Sequence, residues 1–164
     1  MTAYDAEQWS DLFVATAGAA AALAGLVFVA VSINIESILK FRGLPERALE
    51  TVFLLLGVVI VSIIGLIPGM STTALGITLL AEALVLATTI VRLARASIPE
   101  SSAPRSWLVS AVLLRAVGTV PFVVGAVSVM AESGGGLYWT VAGMIGAIAG
   151  GVANAWVLLV EIRR

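Results

Sequence analysis

Neither cysteine nor histidine occurs anywhere in the 164 residues. Their absence removes disulfides, Cys/His zinc sites, iron–sulfur clusters and ordinary haem ligation, together with Ser-His dyads, cysteine nucleophiles and zinc-protease motifs. Aspartate is scarce as well: Asp5 and Asp11 both precede the first long apolar run, which excludes intramembrane aspartyl proteolysis and Asp-rich metal sites. The chain has no glycine-rich phosphate loop with a lysine and no Thr-Val-Gly-Tyr-Gly potassium filter. Its one lysine, Lys40, falls between apolar runs, out of reach of Ser-Lys chemistry within a bilayer. No enzymatic activity and no cofactor are expected. Charge is also sparse, at 12% of residues with a net charge of −1, so nothing draws a nucleic acid.

What is present is apolar. Hydrophobic residues make up 60% of the chain and the mean hydropathy is +1.11, against about 45–50% apolar residues in soluble domains. Crossing about 30 Å of hydrocarbon takes roughly 20 apolar residues at about 1.5 Å each. Five runs of that length stand out: 12–35, 49–67, 74–93, 107–130 and 137–160. The second and third are divided only by the segment Pro68 to Thr73, where Pro-Gly signals a turn. The expected fold is therefore all-α, a single transmembrane domain of five spans.

The basic residues supply an independent test of that count, because Lys and Arg collect on the cytoplasmic side of a membrane. Lys40, Arg42 and Arg47 follow the first run, Arg92, Arg95 and Arg105 the third, and Arg163 and Arg164 the fifth. The N-terminal segment and the other two loops contain none. Five spans place all three basic segments on one side, with the N-terminus outside and the C-terminus cytoplasmic. The first run lacks the positive lead-in of a signal peptide and is too long for one, so it reads as a retained helix. Trp9, Trp107, Tyr138 and Trp139 fall at span ends, where amphipathic rings favour the headgroup layer.

Lipid tails are as apolar as leucine, so helices associate in a bilayer through close contact at small residues. The first span carries Gly18 and Gly25 in an alanine-rich stretch. The fifth carries Ala142, Gly146, Gly150 and Asn154 at intervals of four, with Gly143, Ala147 and Gly151 beside them. These rows serve either packing within one subunit or contact with a second copy. Pro121, in the middle of the fourth span, removes a backbone hydrogen bond and predicts a kink, structural or gating.

Ionisable groups inside a membrane are costly unless paired or wetted, and so point to function. Glu82 and Arg115 are the two that the span boundaries place deep. With their helices antiparallel, they differ in depth by about 6 Å, which an arginine side chain can cover. The expectation is a Glu82–Arg115 ion pair, either fixing helix register or coupling to an ion. Thr78, Glu82, Val85, Thr89 and Arg92 follow helical spacing along one face of the third span. Ser62 on the second span, Asn34 and Glu36 at the end of the first, and Asn154 and Glu161 on the fifth are further candidates for a thin polar interior. No inverted repeat of the kind common in secondary transporters is evident.

The stretch ATAGAAAALAGLVFVAVSINIESIL from Ala15 to Leu39, followed by GLPERALE from Gly43, resembles a group of small uncharacterised bacterial membrane proteins, actinobacterial in flavour. The resemblance covers the first third of the chain. It implies a multi-pass protein of a bacterial inner membrane and carries no activity or site residues with it. The functional expectation is a homo-oligomeric channel or passive transporter for a small ion, with the lipid bilayer and copies of itself as partners. The alternative is an accessory or scaffold subunit of a larger membrane complex.

Overall fold

A chain in hydrocarbon must satisfy its backbone polar groups within itself, and the helix is the local way to do so. The computed structural model describes residues 2–41, 43–97 and 105–161, the side chains of 2, 105–111 and 157–161 excepted. Two short 3-10 turns, Thr2–Tyr4 and Ala6–Trp9, lead into α1 (Ser10–Ile33); α2 (Ile35–Lys40), α3 (Leu44–Gly65), α4 (Thr72–Ala96), α5 (Arg105–Met130) and α6 (Leu137–Glu161) follow. Among the described residues five stretches are long and apolar enough to cross a membrane: Ala6–Ile33, Leu44–Gly65, Thr72–Ala96, Val112–Met130 and Leu137–Trp156. Among the described residues there is no strand. The basic residues Arg42, Arg163 and Arg164 and the side chains of Arg105, Trp107 and Glu161 lie outside what is described.

Local chemistry sets the boundaries. α1 ends earlier than the apolar run implies, because the Asn34 side-chain amide donates to the Ala30 carbonyl at 2.8 Å. Its backbone N–H is shared between the carbonyls of Ala30 and Val31. The chain then resumes as the short α2. α3 starts at Leu44 rather than Leu49, because Pro45 occupies the first turn, where its missing N–H costs nothing. Ser71 caps α4 by accepting from the Ala74 N–H at 3.3 Å. Between α5 and α6, Gly134, Gly135 and Gly136 take φ of 82°, 106° and 53°, a run that side-chain-bearing residues rarely adopt. The Ser128 hydroxyl donates to the Ser133 carbonyl and accepts from the Gly136 N–H, fastening that turn.

α3 touches α1, α4 and α6, and α5 lies between α4 and α6. The four helices α3 to α6 thus close into an up-and-down ring, with α3 and α5 on one diagonal, and α1 lies outside it against α3. The ring's axis is filled by Leu54, Val58 and Val61 from α3, Leu79 and Leu86 from α4, Phe122 and Ala126 from α5, and Met144 and Ala147 from α6. More than half of the apolar stretch of α3 is buried, 56%, against 11% for that of α1.

The small residues divide accordingly. Gly143 and Gly146 of α6 pack against α5: a Cβ on Gly143 would press on the Phe122 ring, and one on Gly146 would overlap the Val117 carbonyl. That carbonyl lies four residues before Pro121, and is the one the proline leaves without its helical hydrogen bond. α5 remains helical through Pro121, and the bare Gly146 backbone covers the group the proline frees. Gly150 stands in ordinary contact with Leu114, at 3.5 Å from where its Cβ would be. Gly18 and Gly25 of α1 have nothing within 4 Å of that position, so they do not pack within the subunit. The ring is already closed without them.

Candidate functional site

The buried charge near the axis is not the expected one. Arg115 is bound to Glu50, its Nε to Oε1 at 2.8 Å and its Nη2 to Oε2 at 2.9 Å. This is a two-point contact of the kind a planar guanidinium makes with a carboxylate. Glu50 on α3 and Arg115 on α5 reach across the diagonal of the ring, and their side chains are 2% and 19% exposed. The Glu82–Arg115 pair expected from helix depth is therefore corrected: depth matches, but Glu82 and Arg115 do not meet. With α3 beginning at Leu44, Glu50 lies nearly two turns into a helix rather than at its mouth. The signal was in the sequence, since Pro45 marks a helix start.

Glu82 stands half-buried at the edge of the core face of α4. That helix buries Leu75, Gly76, Leu79, Ala83, Leu86 and Ile90 in the ring. Thr78, Glu82 and Thr89 are half-buried and Val85 and Arg92 exposed along the flank of that face, so the stripe expected to turn inward borders the packed ring without entering it. Apolar residues on both faces leave the better-packing face, the one with Gly76 and Ala83, to meet α3 and α5. The threonines are satisfied by their own helix, Thr78 donating to the Ala74 carbonyl at 3.0 Å and Thr89 to that of Val85 at 2.8 Å. Glu82 has no such recourse, and makes no hydrogen bond or ion pair with any described residue.

The remaining candidates scatter. Ser62 is fully buried, and its hydroxyl meets that of Thr16 at 3.0 Å, tying α1 to α3. Asn34 ends α1, and Glu36 is exposed on α2. Asn154 is half-buried on α6, and the side chain of Glu161 is not described. No shared polar interior gathers these groups. Among the described residues no three acidic side chains come together as metal ligands. The buried polar atoms Glu46 Oε2 and Thr140 Oγ1 have no hydrogen-bond partner among the described residues.

Among the described residues the structure thus offers a compensated charge pair inside the ring, Glu50–Arg115, and a carboxylate without a partner, Glu82, at the ring's outer edge. No protein-family model, no curated protein and no solved structure matches the chain. What stands without reserve is the class: a helical protein with five helices long and apolar enough to cross a membrane, compatible with an integral membrane protein.

Proposed function

We propose that this protein works as a homo-oligomer in a bacterial inner membrane, with the α4 faces of several copies turned toward a common axis as a passive path for a small cation. Glu82 carries the reading. A lone carboxylate facing hydrocarbon costs a few kcal/mol or more, and the cost falls when the group is paired or wetted. No described residue supplies a partner, whereas an axis shared by copies supplies water. A ring of acidic side chains is also a familiar way to favour cations. The single bundle is filled with Leu54, Val58, Phe122 and Met144, so the path runs between copies. In this reading the basic ends face the cytoplasm, Thr78 and Thr89 flank the Glu82 ring, and Glu50–Arg115 holds each wall in shape.

A natural cysteine-free chain makes the test direct. Ala81→Cys, on the exposed face beside Glu82, should cross-link into oligomers in membranes, and purified protein in vesicles should pass a monovalent cation faster than empty vesicles. Glu82→Gln should slow that flux at least tenfold while the helices stay folded. Absence of flux across sodium, potassium and protons, with the protein correctly inserted, sinks the proposal.

The second reading, an accessory subunit of a larger complex, draws on a separate observation: the open face of α1 around Gly18 and Gly25. It predicts recovery with an unrelated membrane chain from mild detergent, and loss of that chain in a Gly18→Leu variant.

A further inference from the structure

A groove of about 430 Å³ runs between α4 and α5 toward the basic end of the ring. Its walls are apolar, with Ala87, Ile90 and Val91 from α4 facing Ala116 and Val120 from α5, and its polar end holds Arg95, Ser97 and Arg115. From Ala87 to Ser97 the groove follows α4 for about 15 Å at 1.5 Å per residue, half of a hydrocarbon core about 30 Å thick. It therefore has the length of one leaflet and ends where headgroups begin.

Its charge is one-sided. Arg115 gives Nε and Nη2 to Glu50, and its Nη1 bonds no described residue. Arg95 is exposed and has no acidic partner among the described residues. Among the described residues no carboxylate lines the groove. A second, shallower hollow of about 280 Å³ shares Ala87, Val91 and Arg95 with the first and adds Thr88 and Arg92. Two apolar hollows therefore flank one ridge of α4, with arginines at their common end.

We propose that this double groove is a binding site for one anionic phospholipid. One acyl chain lies between α4 and α5 and the other along Thr88 and Val91. The phosphate takes hydrogen bonds from Arg95 and from the free nitrogen of Arg115. Basic pockets between membrane helices suit such headgroups, and guanidinium forks suit phosphate oxygens. The site is independent of any conduction, because it lies on the α4–α5 seam and needs only one copy of the chain.

Native mass spectrometry of the purified, delipidated protein, titrated with phosphatidylglycerol or with phosphatidylcholine of the same acyl chains, tests this. Phosphatidylglycerol should bind at least fivefold more tightly, and Arg95→Gln should lower its affinity about fivefold while leaving phosphatidylcholine unchanged. Ala116→Leu, which fills the apolar part, should weaken both lipids; Ala81→Leu, elsewhere on α4, should weaken neither. Circular dichroism confirms that each variant keeps its helices, and Arg95 is exposed enough for its replacement to fold. Equal binding of the two lipids, an Arg95→Gln variant with unchanged preference, or displacement of phosphatidylglycerol by millimolar glycerol phosphate would each overturn the proposal.

Discussion

Glu50 and Glu82 are two carboxylates on neighbouring apolar helices, and they meet opposite surroundings. Glu50 is 1% exposed and held at two points by Arg115. Glu82, deeper into its own helix, stands half-buried at the edge of the ring with no partner among the described residues. The first belongs to the fold, since its charge is balanced inside one copy. The second belongs to whatever surrounds the fold. The glycines repeat the contrast: Gly146 sits against the Val117 carbonyl, while Gly18 faces outward. In both cases like residues acquire different roles from the side of the helix on which they fall.

The contrast breaks most visibly at the pair. Glu50→Ala leaves a guanidinium buried without its counter-charge, and should cost about 3–5 kcal/mol of stability in detergent unfolding. The double change Glu50→Leu with Arg115→Met, which removes both charges and keeps apolar bulk, should recover most of that loss. If Glu50→Ala unfolds at the parent midpoint, the pair does not hold the ring. Next in size is Gly146→Ala, which forces α6 away from the carbonyl beneath it and should cost about 1–3 kcal/mol in the same assay.

Glu82→Leu sharpens the other side of the comparison. Because Glu82 has no partner among the described residues, the monomer should lose less than about 1 kcal/mol, while cross-linking through Ala81→Cys should fall severalfold. A large drop in monomer stability would show Glu82 to be part of the fold after all. Smallest of all is Gly18→Ala, expected to move the unfolding midpoint by no more than about 0.5 kcal/mol; a cost like that of Gly146→Ala would place α1 inside the packing rather than beside it.

Hydropathy made the five long helices legible, because hydrocarbon thickness fixes span length regardless of neighbours. Boundaries were legible where a residue has a strong local preference. Pro45 and Ser71 mark helix starts, and Asn34 ends α1 by turning its amide back onto a carbonyl. Which face of each helix turns inward was not legible. In water a polar stripe points to solvent; in a membrane both lipid and protein interior are apolar, and periodicity loses its meaning. The stripe from Thr78 to Arg92 was expected to line the interior, yet close packing of Gly76 and Ala83 decided the matter. Arg115 stands out in the sequence as a charge needing an explanation, but its partner is hidden there, because a span boundary at Leu49 leaves Glu50 at a helix mouth.

The turn between α5 and α6 has a consequence for assembly order. Gly136 rests against Ala3 and Tyr4, the Tyr4 hydroxyl accepts from the Gly135 N–H at 3.4 Å, and the rings of Trp9 and Tyr138 meet edge to face at 4.8 Å. The segment ahead of α1 therefore has its seat on the last hairpin. α1 leaves the ribosome before α6 and gains this end contact only after α6 has been made; until then the packing open to it is the one along α3.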